Sequence, residues 1–253
     1  MKFIMLLLLL CGITTGAWAQ ETVKGDPGSE KLIRTIRRGV SRYLWEIYEA
    51  DAYSHKDKDG LYSVETNKKE QLVKGHYKDN KKVGVWEYYD GGVLVQQYDF
   101  SKDTLLFDTT DVNTFVATQY SVEAITDETD TVLPPRKIGG VNYGFLLLFD
   151  PRDYPPDLKG ISSDVKMTYM FTISETGKLL KWKVMYVGPT VQEIIQEREI
   201  NHLPADAYEF TAARVNGKPV RSTIVYSVPI TVDHRPGMGG SNGNVTRHSV
   251  QEN

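Results

Sequence analysis

Alternation is clearest near the C-terminal end of the chain. Val165, Met167, Tyr169, Phe171 and Ile173 are apolar, with Lys166, Thr168, Met170 and Thr172 between them. That period of two predicts a strand with one buried face. Ser174-Glu175-Thr176-Gly177 predicts a hairpin loop with Gly177 in the left-handed position. Lys178 to Val187 then form the return strand, with Leu180, Trp182, Val184 and Tyr186 on one face, and Gly188-Pro189 stops it. Thr190 as N-cap and Glu193 three residues on form a capping box that predicts a helix. Val191, Ile194, Ile195 and Ile200 would be its buried stripe, and Pro204 lies beyond its end. Val220 to Val232 alternate again and predict a last strand, giving the order β-β-α-β.

The pattern upstream is different. In residues 31–50, Leu32, Ile33, Ile36 and Val40 have helical spacing, while Tyr43, Trp45 and Ile47 alternate, so a short helix leading into a strand is expected. From His55 to Phe100, Gly60-Leu61-Tyr62 recurs as Gly84-Val85-Trp86, 24 residues later. Turn clusters separate the apolar runs at Asn67-Lys68-Lys69, Asp79-Asn80-Lys81 and Asp90-Gly91-Gly92. Short aromatic strands punctuated in this way predict an antiparallel β-meander. Thr104 to Phe107 and Phe115 to Val122 read as two further strands, and Asp127 to Asp130 as a solvated acidic linker. The expected class is therefore α+β, with a β-rich repeat region over 31–133 and a β-β-α-β domain over 134–233.

The ends and the composition set the compartment. Lys2, an apolar run from Ile4 to Leu10, and Ala17-Trp18-Ala19 have the layout of a secretory signal peptide over residues 1–19, cleaved between Ala19 and Gln20. From Phe3 to Ile13 the apolar stretch is about half of the roughly 20 residues that span a bilayer. Gln20 to Glu30 reads as a linker, and His234 to Asn253, rich in Gly, Ser and Asn, as a disordered tail. A periplasmic or outer-envelope location is expected. Cys11 is the single cysteine, so a mature chain would have neither disulfides nor a thiol nucleophile. A net charge of −3 with both signs interspersed provides no basic face for nucleic acid.

Over residues 134–233 the chain carries, in order, Pro135-Arg136-Lys137-Ile138-Gly139-Gly140, Tyr154-Pro155, the Gly177 hairpin, Leu203-Pro204, Asn216-Gly217-Lys218-Pro219-Val220 and Pro229-Ile230. With these motifs it resembles the C-terminal domain of TonB energy transducers. The chain departs from the family in having Asp164 before Val165 and Phe210-Thr211-Ala212-Ala213 in place of a Trp-x-Pro-Ala run. Residues from about 55 to 100, with Gly75 to Phe100 as the clearest segment, resemble the MORN-type repeats of bacterial exported proteins. The TonB resemblance implies a surface that receives an extended segment of an outer-membrane transporter.

Pro229 has no N–H to give a ladder, which suggests an edge strand. On that reading Arg221, Thr223, Val225 and Ser227 would bind an extended peptide or envelope protein as an added strand. The same proline equally suits an edge blunted against aggregation. A free edge would also permit a homodimer.

Catalysis finds no support. His55, His76, His202, His234 and His248 make no ligand pair, and no Gly-x-Ser-x-Gly elbow occurs. His202 reads as a dipole partner at the helix end, and Asp57 to Gly60 as a turn. No enzyme activity, cofactor or metal site is expected. Three readings remain open. The chain is a binding module acting by strand addition, a TonB-type transducer with an uncleaved anchor, or a structural envelope scaffold. The 11 prolines include no proline-rich spacer of the kind a transducer needs.

Overall fold

The computed structural model describes residues 22–25, 32–53, 57–109, 117–124, 127–148, 154–155, 158, 163–189 and 191–232. Ala19 and Gln20 of the expected cleavage site, with the rest of the leader, and the 234–253 tail lie outside the described residues.

Eight antiparallel strands form the first sheet, and their order in space is their order in sequence. They are β1 (Thr22–Gly25), β2 (Leu32–Gly39), β3 (Leu44–Asp51), β4 (Lys58–Thr66), β5 (Gln71–Lys78), β6 (Lys81–Asp90), β7 (Val93–Asp99) and β8 (Thr104–Asp108). The expected linker thus contains a strand, β1, which pairs with β2. The short helix expected after residue 31 is β2, because Ile33 to Gly39 find a ladder along β3 and β-branched Ile33, Thr35 and Ile36 suit it. In β3 the buried set is Leu44, Glu46, Tyr48 and Ala50, so Trp45 and Ile47 are on the outer face, while Tyr43 before the strand packs against the core. Lys58 to Gly60, expected in a turn, begin β4 instead.

The 24-residue recurrence is one hairpin of this meander. Gly60 and Gly84 both have positive φ, Leu61 and Val85 after them are exposed, and Tyr62 and Trp86 are buried. The two rings lie 5.1 Å apart, and Tyr77 on the intervening strand meets both edge-on. Gly75 on β5 makes room for them, since a Cβ there would lie 2.2 Å from the Trp86 ring.

A second sheet has the order β14-β13-β12-β18-β9. Its members are β9 (Ala117–Val122), β12 (Ser163–Ile173), β13 (Leu179–Gly188), β14 (Val191–Arg198) and β18 (Ser222–Val232). Two small ribbons accompany it. One joins β10 (Val132–Leu133), β16 (Ala213–Val215) and β17 (Lys218–Val220), and the other joins β11 (Arg136–Lys137) to β15 (Phe210–Thr211). The helix α1 (Gly140–Leu148) is the only α-helix among the described residues. The described chain is mostly antiparallel β-sheet with one helix, an α+β arrangement in the broad sense.

The helix expected after Thr190 is the strand β14. Ile194, Ile195 and Gln196 pair with Tyr186, Met185 and Val184 of β13. Helical spacing of isoleucines was a weak guide here, because β-branched side chains favour the pleated surface and an isolated short helix is marginal in water. Ile195, assigned to the buried stripe, is exposed on the outer face. The 165–187 hairpin forms as expected, with Gly177 at φ 73°. A bulge near its loop turns Leu180 outward and buries Leu179 in its place.

Helix α1 joins the sheets. Tyr143 faces the meander, its ring 6.1 Å from Tyr88, while Phe145 meets Tyr169 of β12 at 5.5 Å. One continuous core runs from Leu44 and Trp86 through Tyr143 to Phe171 and Ile224. Gln96 on β7, fully buried, donates to the Lys137 carbonyl at 3.0 Å and accepts from the Gly139 N–H at 2.6 Å. The buried amide is fully engaged, which fixes the entry to α1 against the meander.

Candidate functional site

The four residues expected to bind a partner strand lie at the start of β18 or just before it. β18 is an interior strand. It pairs with β12 along its whole length and with β9 on its other side from Ser222 to Ser227. Thr223, Val225 and Ser227 stand opposite Ser121, Gln119 and Ala117, and the Arg221 carbonyl accepts from the Glu123 N–H at 2.8 Å. The edge that Pro229 pointed to is therefore occupied by the chain itself. Pro229 lies beyond the register that β18 shares with β9, and among the described residues only β12 flanks the strand there. β9 packs weakly. Ala117, Gln119, Tyr120 and Ser121 are exposed, and Thr118 and Val122 are half-buried. Main-chain bonds to β18, rather than burial, hold it in place.

A second cluster lies between the meander and the segment around the 3₁₀ turn Ala205–Tyr208. Lys82 of β6 donates to Asp206 Oδ1 at 2.7 Å and to Glu209 Oε2 at 2.5 Å. Its ammonium also sits 4.7 Å from the ring centres of Trp86 and Phe100. Tyr143 donates to the other Asp206 oxygen at 2.6 Å. Burial pushes the Asp206 carboxyl up, but the Lys82 ammonium and the two hydrogen bonds outweigh it, so the carboxyl lies below its ordinary value. Lys137 is wholly enclosed. Its Nζ donates to the carbonyls of Ile138, Asp206 and Glu209 at 2.9, 2.6 and 2.8 Å. Removal from water pushes it down to about 7, against the pull of Glu209 and Asp206.

Beside this cluster is a cavity of about 350 Å³. Its meander wall carries Arg38, Glu46, Lys58, Tyr62 and Tyr77, and the opposite wall carries Tyr143 and residues 202–206. Glu46, 3% exposed, takes Arg38 on Oε1 at 2.7 Å, and Lys58 on Oε2 at 2.5 Å with the Tyr62 hydroxyl at 3.2 Å. The Lys58 ammonium is ringed by Tyr48, Tyr62 and Tyr77 at 4.9, 4.6 and 5.0 Å. Burial and then nearby carboxylates, Asp206 first, push the Tyr62 and Tyr77 hydroxyls far up, so both stay protonated donors. His202 ends no helix. It lies on the cavity wall with φ 106°, a strained value for a residue with a side chain.

Sequence reasoning did not find this constellation. Its one readable sign was Glu46, a carboxylate at an otherwise apolar position in the Leu44-Tyr48-Ala50 alternation. Among the described residues no group of three or more His, Cys, Asp or Glu is placed to hold a metal ion. No helix among them is long and apolar enough to cross a membrane. Comparison with protein-family models, with curated proteins and with solved structures finds no match for this chain.

Proposed function

We propose that the chain is an exported, non-catalytic envelope protein whose C-terminal sheet binds an extended peptide or protein segment by strand addition at β18. One observation carries the reading. The margin of β18 that bears Thr223, Val225 and Ser227 is covered by β9, a strand whose side chains are mostly exposed. Another extended segment would supply the same main-chain hydrogen bonds as β9 and add side-chain contacts that β9 lacks. The resemblance to the TonB C-terminal domain supports an outer-membrane transporter segment as the guest, and the glycine-x-aromatic hairpins support the MORN-type assignment of the meander.

A disulfide lock tests the exchange. Gln119 and Val225 are register partners, so Gln119→Cys with Val225→Cys would clamp β9 to β18 in a mature chain otherwise without cysteine. Capture of the transporter from solubilised envelopes should fail for the oxidised protein and return on reduction. Equal capture by locked and reduced forms would refute strand exchange. N-terminal sequencing of the protein from its membrane and soluble fractions separates the alternatives. A start at Gln20 fits the binding module, and retention of residues 1–19 in the membrane favours the transducer.

A further inference from the structure

The cavity between β2–β5 and residues 202–206 has a one-sided chemistry. Both carboxylates on its walls are already engaged on each oxygen by the chain's own donors. Glu46 takes Arg38 on one oxygen and Lys58 with Tyr62 on the other, and Asp206 takes Lys82 and Tyr143. The donors are not saturated. Among the described residues Arg38 gives Nε and one terminal nitrogen to Glu46, which leaves guanidinium N–H groups free. Lys58 gives one of its three N–H bonds to Glu46. Tyr77 is on the cavity wall, and its hydroxyl is a protonated donor. Two cationic side chains, Arg38 and Lys58, share the single carboxylate of Glu46 on this wall.

Two other ligand classes fit badly. The tyrosine cage that would suit a quaternary or primary amine is already filled by the chain's own Lys58. A metal ion would find two carboxylates that are both already paired with cations, and among the described residues no group of three or more His, Cys, Asp or Glu is placed to hold one. Apart from His202, the rest of the wall is formed by Gly39, Ala205, tyrosine rings and the apolar side chains of Val40, Leu203 and Pro204, which offer cover for a flat apolar body. The volume is near the lower end for small-molecule sites, about 300 Å³ upward.

We infer that this cavity binds a small monoanion, a carboxylate head carried on a flat apolar body, with Arg38 and Lys58 holding the head and Tyr77 donating to it. The site shares no residue with the strand-exchange margin and is independent of it in chemistry. Arg38 is the outermost member, its side chain 62% exposed, so a ligand would meet it first.

Calorimetric titration of the purified protein with benzoate tests the inference, with benzyl alcohol, benzylamine and inorganic phosphate as controls at matched ionic strength. Benzoate should saturate one site, with the alcohol and the amine at least about tenfold weaker, since a charged hydrogen-bonded head is worth that much or more. Arg38→Gln should weaken benzoate by about tenfold while the melting temperature confirms a folded protein. Tyr77→Phe removes one oxygen and little volume, and should cost a smaller factor if Arg38→Gln does not fold. Absence of benzoate binding would overturn the inference. So would equal binding of benzyl alcohol or phosphate, preference for benzylamine, or benzoate affinity unchanged in both variants.

Discussion

The ammonium of Lys82 lies 2.7 Å from a carboxylate oxygen of Asp206, 124 positions further along the chain, and the side chains of both are more than nine-tenths enclosed. This contact ties the meander to the C-terminal sheet. A buried pair of this kind adds little net stability compared with an apolar pair, yet loss of one partner strands the other charge. Lys82→Met should therefore destabilise the protein by about 3–5 kcal/mol in urea unfolding. Combining it with Asp206→Asn and Glu209→Gln should recover much of that loss. Additive losses would mean that the three groups do not act as a unit.

The same pair sets an acid limit. The Asp206 carboxyl lies below its ordinary 3.8 in the folded state. Its contribution is therefore complete above that value and is lost as pH falls through the lower folded one. Lys82 is shifted up, because the pull of Asp206 and Glu209 exceeds the cost of burial, so its share persists until pH rises through a value above 10.5. Urea midpoints should fall between neutral pH and pH 3 more steeply in the native protein than in Asp206→Asn. Parallel curves would show that Asp206 is not the titrating group.

Lys137 acts in the opposite direction. Its folded value of about 7 lies under the ordinary 10.5. Between those two values the unfolded chain holds a proton that the folded chain has released, so stability rises with pH across the window. A group titrating alone contributes about 1.4 kcal/mol per pH unit there. Lys137→Met leaves three carbonyls without their donor and should be less stable at every pH, but its midpoints should lose this slope. An unchanged slope would place the proton release elsewhere.

Two glycines of the meander should respond differently to alanine. Gly75 has no left-handed backbone, but its Cβ would penetrate the Trp86 ring. Overpacking of this kind typically costs about 1–3 kcal/mol and moves the ring, which tryptophan fluorescence would register. Gly84 has φ 64° and open space around it, so alanine there incurs only backbone strain, about 1–2 kcal/mol, with the Trp86 spectrum unchanged. Identical spectra for the two variants would contradict the packing described for Trp86.

The repeat of the meander was legible because both of its ends are chemically distinctive. A glycine that must take positive φ is followed two residues later by a large ring that must be buried, at Gly60-Tyr62 and again at Gly84-Trp86. The 165–187 hairpin was legible for the same kind of reason, alternation closed by Gly177. Val191 to Arg198 was not, since Thr190, Glu193 and the isoleucines satisfy helix rules locally, and only the outer edge of β13 makes the extended form better. The cover over β18 was also hidden. Ala117 to Val122 has few apolar residues and gains its place from a strand far along the chain. Lys82, Asp206 and Lys137 were the least readable, because single charged residues without local spacing carry no mark of burial.

The strict neighbour-to-neighbour order of the meander has a consequence for how the chain acquires its structure. Each of the eight strands needs only the strand before it, so only short loops must close and the sheet can grow as residues appear. The second sheet has no such route. β18 lies between β12 and β9, and contacts such as Val122 with Ser222 wait for the final strand. A chain delivered N-terminus first therefore completes its meander early and keeps β9 unpaired until the end. A nascent chain stalled before Ser222 would carry a finished first half and an open second half, and that interval is when β9 is free to meet another strand.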